Sequence, residues 1–260
     1  MKDLSKIKLF VLDMDGTFYL GNQILDGALQ FLKAVEATGR EFLFFTNNSS
    51  CTKVEYIRKL RRMNCSITQR QIMTSADVTI AYLHTYHRNQ TVYLMGTAAL
   101  EREFLQQEIA LVDNVQPDVV VVAFDQTLTY DKLKKSCTYI RNGAVFLATH
   151  LDINCPTEDG FIPDCGAMCA AIRLSTGVEP RYLGKPFPET LAMIQQHTGY
   201  QKEEIAIVGD RLYTDVACGV NNGASGILVL SGETKQEDIC QSDIIPSAVY
   251  HSLQDMIKDL

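Results

Sequence analysis

Two aspartates separated by a single residue, Asp13 and Asp15, follow directly on a mostly apolar run at residues 7–12 and precede Gly16. That run has the length and character of a buried strand, and open α/β sheets hold their active sites at the carboxyl ends of such strands. With this spacing on an extended chain, one carboxylate can attack a substrate or bind a cation while the other moves a proton. The pair is therefore suited to metal-assisted phosphoryl transfer.

A hydroxyl and an amide, Thr46 and Asn47, follow a second apolar run at residues 41–45. Because parallel strands end at the same edge of a sheet, we expect these side chains to emerge beside Asp13. Together with the exposed N–H groups of a helix start they would form a phosphate-binding seat. Simple helix capping, for which Asn48 would suffice, is the structural alternative.

Two further turns bring a cation and two more acids. Lys185 lies between a glycine and a proline, and Asp210 and Asp215 flank the turn after an apolar run at residues 205–208. Taken singly, these residues could be a surface lysine, a helix cap and an exposed acid. Taken together with the first two turns, they predict a magnesium site beside a cationic phosphate clamp.

The elements that must hold these turns alternate between strand and helix along the whole chain, which predicts an α/β fold with a doubly wound parallel sheet. A second alternating series, at about residues 92–148, indicates a separate smaller α/β domain. Residues 152–166 are rich in proline, aspartate and glycine, and we expect an irregular loop there.

Composition limits the classes of partner. The chain has 260 residues, 46% of them hydrophobic, and a net charge of -7; no run approaches the ~18 apolar residues of a membrane span. We therefore expect neither nucleic acid nor membrane as a partner, since duplex binding depends on concentrated basic charge. The eight cysteines lack paired CxxC spacing and the start lacks a secretory signal, which predicts a cytoplasmic protein with reduced thiols. A monomer and a homodimer both remain open.

Four segments together resemble the four motifs of haloacid dehalogenase superfamily phosphatases. They are Asp13-Met14-Asp15-Gly16-Thr17, Thr46-Asn47-Asn48-Ser49, Gly184-Lys185-Pro186 and Gly209-Asp210-Arg211-Leu212-Tyr213-Thr214-Asp215. The long stretch between the second and third motifs is similar to the p-nitrophenylphosphatase-like branch, which includes nucleotide and sugar phosphatases. The resemblance implies a core domain at residues 1–78 and 182–260, with a cap domain inserted at 79–181.

The resemblance also implies a role for each motif residue. Asp13 would be the nucleophile that forms an aspartyl phosphate, and Asp15 would act as general acid and then as general base. Mg²⁺ would be held by the Asp13 carboxylate and the Asp15 carbonyl, with Asp210 and with Asp215 directly or through water. The expected ligands of the phosphoryl oxygens are Thr46, Asn47 and Lys185.

In the expected cap, Ala148-Thr149-His150-Leu151-Asp152 resembles the family's Ala-Thr-Asn-x-Asp segment, with His150 in place of the usual asparagine. We predict that His150, Asp152 and Asp164 face the active site and help to select the leaving group. The alternative is a structural turn that carries a surface histidine.

The function predicted from this resemblance is magnesium-dependent hydrolysis of a small phosphomonoester. Sugar phosphates, nucleoside monophosphates and aryl phosphates such as p-nitrophenyl phosphate are the substrate classes considered. A phosphotransferase or phosphomutase would use the same aspartyl phosphate, and a catalytically silent regulatory binding protein would keep only the fold. Release of inorganic phosphate without transfer to an acceptor separates the first two possibilities.

Overall fold

A computed structural model of the chain describes residues 4–157 and 160–260. These residues form two compact units. The first contains the chain up to Thr46 with Lys53–Met73 and Lys185–Leu260, and the second contains Asn47–Thr52 with Thr74–Gly184. The domain limits expected at residues 79 and 181 fall inside the second unit. The assignment of the two units as core and cap stays a prediction.

Strands and helices alternate through most of the described chain. The strands are β1 (Leu9–Leu12), β2 (Tyr19–Leu20), β3 (Gln23–Ile24), β4 (Glu41–Thr46), β5 (Ile72–Thr74), β6 (Thr91–Met95), β7 (Ala110–Leu111), β8 (Val119–Val122), β9 (Val145–Ala148), β10 (Asn154–Thr157), β11 (Gly160–Pro163), β12 (Arg181–Tyr182), β13 (Ile205–Gly209), β14 (Ser225–Val229) and β15 (Ala248–Tyr250). The α-helices are α1 (Ala28–Ala37), α2 (Lys53–Arg62), α3 (Ser75–Tyr86), α4 (Ala98–Gln106), α5 (Tyr130–Arg141), α6 (Cys165–Thr176), α7 (Pro188–Thr198), α8 (Ala217–Val220), α9 (Gln236–Ile239) and α10 (Leu253–Met256).

The first unit is built on a six-stranded sheet with the order β15-β14-β13-β1-β4-β5. Strand β1 lies between β13 and β4 and is parallel to both, with Leu12 opposite Val208 on one side and Phe44 on the other. Every residue of β1 is buried, as expected for a central strand of a parallel sheet that is covered on both faces. The register brings the ends of these three strands to one edge.

The second unit contains a five-stranded sheet with the order β12-β9-β8-β6-β7, and its four pairings are parallel. Helices α5 and α6 pack on this sheet. All four valines of β8 are buried, because this strand lies at the centre and both of its faces are covered. The predicted α/β class with parallel sheets is confirmed.

The irregular loop expected at residues 152–166 is wrong. The segment contains an antiparallel hairpin in which β10 pairs with β11, with Cys155 opposite Ile162 and Pro156 opposite Phe161. A proline is tolerated here because a two-stranded ribbon has only edge strands, where a missing N–H need not break a ladder. Proline and glycine therefore gave a misleading signal.

Two other features of the fold bear on the sequence predictions. Within the described ranges, no helix combines the length and the apolar character that crossing a membrane requires. Five of the eight cysteines are buried as free thiols, in keeping with their apolar sequence contexts.

Candidate active site

In the first unit, a buried lysine joins two carboxylates from different strand ends. Asp13 follows β1 and its N–H donates to Val208 at 2.9 Å, which extends the strand pairing. The Nζ of Lys185 lies 2.6 Å from Asp13 Oδ1, 2.6 Å from Asp215 Oδ1 and 3.1 Å from the carbonyl oxygen of Phe45. An ammonium has three donors, so each has a partner. The side chain of Asp13 keeps 15% of its surface exposed, which leaves it accessible to a small molecule.

Asp210 completes a group of three acids with Asp13 and Asp215. Each offers a carboxylate oxygen, and these oxygens all lie within 4.8 Å of one another. Asp210 Oδ2 accepts the backbone N–H of Glu233 at 2.7 Å. Gly16 approaches so closely that a Cβ there would lie 2.5 Å from Asp210 Oδ2, and its φ of +84° favours glycine. The backbone therefore leaves room around Asp210 that a side chain would fill.

The electrostatics of the three acids favour a bound cation. Burial raises the pKa of Asp13 well above its ordinary value, the Lys185 ammonium counteracts this, and Asp215 and Asp210 reinforce it. Burial and the neighbouring Asp215 raise the pKa of Asp210 to about 6. Burial would lower the pKa of Lys185, but Asp13 and Asp215 raise it on balance, so the ammonium stays charged. One ammonium among three carboxylates leaves negative charge that a divalent cation can offset.

Asp15 lies beside this group but is held by different partners. Its Oδ2 accepts a hydrogen bond of 3.1 Å from the hydroxyl of Tyr19. Burial raises the pKa of Asp15, while Lys59 and the Tyr19 hydroxyl act in the opposite direction. A carboxyl whose pKa is raised holds its proton more readily, which would suit the acid and base role predicted for Asp15.

Thr46 is the last residue of β4 and is buried. Its backbone neighbour Phe45 supplies the carbonyl that accepts from Lys185, so the end of β4 reaches the same edge as Asp13. Asn47 is the first residue of the second unit, where its Nδ2 donates to Asp152 Oδ2 at 2.9 Å. The proposed binding of phosphate by Thr46 and Asn47 stays a prediction.

In the second unit, the three residues predicted from the cap motif are buried, and two of them, His150 and Asp164, are hydrogen-bonded to each other. His150 Nε2 lies 2.8 Å from Asp164 Oδ1, and its Nδ1 lies 2.9 Å from the Thr149 hydroxyl. Asp164 also caps α6 by accepting the N–H of Cys165 at 2.6 Å. His150 has no exposed surface, so the surface histidine considered as an alternative is wrong. His150 follows the end of β9 by two positions and is buried in the interior of the unit.

Charge stabilises this network. Burial alone would lower the pKa of His150, but Cys165 and Asp164 raise it to about 9, so the imidazole is protonated at neutral pH and pairs with Asp164. His150, Asp152 and Asp164 also have oxygen and nitrogen atoms within 4.8 Å of one another. Hydrogen bonds hold these side chains without a metal ion, since His150 pairs with Asp164 and Asp152 accepts from Asn47. Contact of these residues with a leaving group stays a prediction.

We expect His150→Ala to lower the free energy of unfolding by about 3 kcal/mol, because it leaves the buried Asp164 carboxylate without its cationic partner. Chemical denaturation at neutral pH measures the change. The exposed His84 of α3 provides a matched control, since His84→Ala should alter stability by less than about 0.5 kcal/mol. Equal effects of the two substitutions would contradict a stabilising role for the buried pair.

Sequence reasoning did not find Tyr19 or Lys59. Tyr19 forms an isolated bridge with Asp15, and the Nζ of Lys59 lies 3.9 Å from the centroid of the Tyr19 ring. The available signal was the turn at Gly16 and Thr17, which reverses the chain and returns the residue four positions after Asp15 towards its carboxylate.

Comparison with known proteins identifies the family to which this fold belongs. A family model described as haloacid dehalogenase-like hydrolase matches residues 10–110, and a second, described as HAD-hydrolase-like, matches residues 182–256. The chain is similar to acid sugar phosphatases from Staphylococcus aureus strain MRSA252, at 33% identity over 99% of both chains, and from Staphylococcus epidermidis strain ATCC 12228, at 35% identity over 96% of this chain and 97% of the relative. The crystal structure of 4-nitrophenylphosphatase from Thermotoga maritima superposes with a TM-score of 0.95 and 43% identity, covering 99% of each chain.

The parallel α/β fold and these similarities together define a class of hydrolases. The chain belongs to the haloacid dehalogenase-like hydrolases, as a phosphatase of the p-nitrophenylphosphatase-like branch. The resemblance seen in the four sequence motifs is confirmed.

Proposed function

We propose that this phosphatase hydrolyses small phosphomonoesters through a covalent phosphoryl intermediate on Asp13. The observation that carries the proposal is the convergence at one sheet edge of Asp13, Asp210 and Asp215, whose oxygens lie within 4.8 Å of one another, with the Lys185 ammonium 2.6 Å from two of them. A nucleophilic carboxylate, a fixed cation and further anionic ligands are the parts that phosphoryl transfer requires.

The chain's own residues supply both halves of the reaction. A carboxylate oxygen of Asp13 attacks phosphorus, the bond from phosphorus to the ester oxygen breaks, and Asp15 gives its proton to the departing alkoxide. Asp15 then takes a proton from water as that water attacks phosphorus, which releases inorganic phosphate and restores the Asp13 carboxylate. Lys185 offsets the charge of the phosphoryl oxygens. Thr46 and Asn47 are proposed as further phosphate ligands.

Magnesium is the proposed cofactor, because an all-oxygen donor set in a negatively charged site matches the preference of this ion. The Asp13 carboxylate, the Asp15 backbone carbonyl and Asp210 would hold it, with Asp215 directly or through water. When bound, Mg²⁺ would supply positive charge that stabilises phosphoryl oxygens in the transition state. Its fit is supported by the raised pKa values of Asp13 and Asp210, which a cation would lower.

The proposed substrates are sugar phosphates, nucleoside monophosphates and aryl phosphates. The names of two similar proteins support the range, since one is an acid sugar phosphatase and the other a 4-nitrophenylphosphatase. The second unit would act as the cap domain, in which His150, Asp152 and Asp164 are the proposed specificity residues. The burial of all three and the hydrogen bond between His150 and Asp164 favour an effect on the shape of the cap over direct contact by each side chain.

A panel of phosphate esters tests the proposed function. Sugar phosphates, nucleoside monophosphates and p-nitrophenyl phosphate are compared for release of inorganic phosphate with Mg²⁺, and a radiolabelled substrate is quenched in acid to trap the phosphorylated enzyme. We expect steady phosphate release and a label on Asp13. Transfer of the label to a sugar acceptor without phosphate release would instead identify a phosphotransferase, and hydrolysis without a labelled protein would refute the intermediate.

Binding of Mg²⁺ should stabilise the folded protein, by about 2.7 kcal/mol when its concentration is 100 times the dissociation constant. Asp210→Asn should remove most of this increase, because an amide supplies less charge to the cation. Thermal melts at pH 8 with and without Mg²⁺ measure the difference, and the exposed Asp243 provides the matched control Asp243→Asn.

The same melts give a pH dependence. The pKa of Asp210 is raised to about 6, so this carboxylate is ionised at pH 8 and mostly protonated at pH 5. Since protons and cations compete for it, the increase in wild-type stability caused by Mg²⁺ should shrink as the pH falls through 6. If Mg²⁺ stabilises the protein equally at pH 8 and pH 5, and does the same in Asp210→Asn, the cation binds elsewhere.

A further inference from the structure

Tyr19 is a buried side chain with one polar atom, and that atom contacts the proposed general acid. The ring has no exposed surface, and its hydroxyl lies 3.1 Å from Asp15 Oδ2. A phenol is the donor in such a pair because an ionised carboxylate can only accept. The hydrogen bond therefore engages one oxygen of Asp15 and leaves Oδ1 for proton transfer.

The backbone fixes Tyr19 in this position. The N–H of Gly16 donates to the carbonyl of Tyr19 at 2.9 Å, and the N–H of Tyr19 donates to the carbonyl of Met14 at 3.0 Å. Asp15 and Tyr19 are thus bridged through main chain and side chain at once. A closed turn of this kind restricts the rotamer of Asp15, because both ends of the hydrogen bond belong to the same short segment.

Lys59 of α2 contacts the face of the Tyr19 ring. Its Nζ lies 3.9 Å from the ring centroid, within the range of a cation–π interaction. The ammonium thereby restrains the ring and adds positive charge near Asp15 without forming an ion pair that would occupy the carboxylate.

We infer that Tyr19 is a positioning residue for the reaction: it orients the Asp15 carboxyl so that Oδ1 delivers a proton to the leaving alkoxide, with Lys59 restraining its ring. The inference rests on the proposed function, since it presupposes that Asp15 is the general acid. The inference predicts that the effect of removing the Tyr19 hydroxyl depends on the leaving group of the ester. Esters whose leaving group needs a proton depend on Tyr19, and esters whose leaving group departs as a stable anion do not.

The test compares kcat/KM for two esters. The leaving group of a sugar phosphate is an alkoxide, and the leaving group of p-nitrophenyl phosphate is a stabilised phenolate. This ratio reports the steps up to phosphoryl transfer to Asp13, so hydrolysis of the intermediate does not affect it. Tyr19→Phe keeps the ring and removes only the hydroxyl. We expect it to lower kcat/KM for the sugar phosphate by about 10- to 100-fold, which is a fraction of the effect of a complete general acid. For p-nitrophenyl phosphate we expect kcat/KM to fall by less than about threefold.

Three further variants keep the result interpretable. Tyr250→Phe is the matched control, because it removes a hydrogen bond of 2.8 Å from a tyrosine hydroxyl to Asp259 in the same unit, and we expect no selective loss. Lys59→Gln should also lower kcat/KM more for the sugar phosphate than for p-nitrophenyl phosphate, but by a smaller factor than Tyr19→Phe. Asp15→Asn should show the largest difference between the two esters in the loss of kcat/KM.

The outcomes separate the inference from the proposed function. If Asp15→Asn lowers kcat/KM equally for both esters, the assignment of Asp15 as general acid fails. If Asp15→Asn is selective while Tyr19→Phe affects both esters equally or neither, the positioning role of Tyr19 is overturned. Inhibition by inorganic phosphate should be unchanged in Tyr19→Phe, because the phosphate ligands are intact, and a matching loss of phosphate affinity would instead indicate a distorted site.

Discussion

Asp13→Asn should reduce phosphate release by at least about 10³-fold in kcat, since it removes the nucleophile and with it the covalent path. The substitution is nearly isosteric. Asparagine keeps an oxygen that can accept from Lys185, now 2.6 Å from Asp13 Oδ1, but a neutral amide does not displace an alkoxide from phosphorus. It also relieves repulsion among the acids, so the variant should remain folded.

Release of phosphate from p-nitrophenyl phosphate at saturating concentration measures this effect, with thermal melts to verify folding. Asp243→Asn makes the same chemical change at an exposed position of the same unit and should retain wild-type turnover. An Asp13→Asn variant that turns over within about tenfold of wild type would rule out the covalent mechanism, because no other group is proposed to attack phosphorus.

The central strands of the first unit were predictable because each is a continuous apolar run. The runs at residues 41–45 and 205–208 correspond closely to β4 (Glu41–Thr46) and β13 (Ile205–Gly209). A strand covered on both faces needs apolar residues at every position, which makes its signal strong and its end sharp. That sharp end is also why the sequence alone predicts Asp13 at the edge of the sheet.

Short strands could not be predicted in the same way. The two-residue strands β7 (Ala110–Leu111) and β12 (Arg181–Tyr182) are too short to show a period, and the hairpin of β10 and β11 is formed by residues that favour turns. Their pairing is decided by neighbouring strands and helices. The burial of His150 could not be predicted from the sequence either. A polar residue is buried only where tertiary partners such as Asp164 can hydrogen-bond to it.

For the candidate site, the sequence predicted that Asp13, Lys185, Asp210 and Asp215 come together but not how they are connected. Nothing in the spacing of Asp13, Lys185 and Asp215 indicates that one ammonium lies 2.6 Å from both acids. Such a contact depends on the register of β1 and β13, which is a tertiary property. The role of Tyr19 was hidden for a related reason, since a tyrosine after a turn is ordinarily a core residue and only its hydroxyl direction distinguishes it.

Lys185→Ala should lower kcat/KM for small phosphomonoesters by about 10²- to 10³-fold, a loss comparable to that of one preorganised charge-stabilising donor. Its side chain is only 3% exposed and all three of its donors are used, by Asp13, Asp215 and the carbonyl of Phe45. Lys185→Arg should not rescue the activity, because a planar guanidinium cannot reproduce three converging bonds from a single nitrogen. The exposed Lys258 gives the control Lys258→Ala, for which we expect wild-type kinetics.

Stability measurements on Lys185→Ala separate the charge of the lysine from its position. Without Mg²⁺, the variant should lose about 3 kcal/mol of unfolding free energy, because Asp13 and Asp215 are left as buried acids without their cation. A divalent cation among the same acids supplies replacement charge, so Mg²⁺ should recover part of this loss. Turnover should not recover, because the phosphoryl oxygens still lack the ammonium that faces Asp13. Recovery of both stability and turnover with Mg²⁺ would mean that Lys185 serves only to balance charge and does not bind the substrate's phosphate.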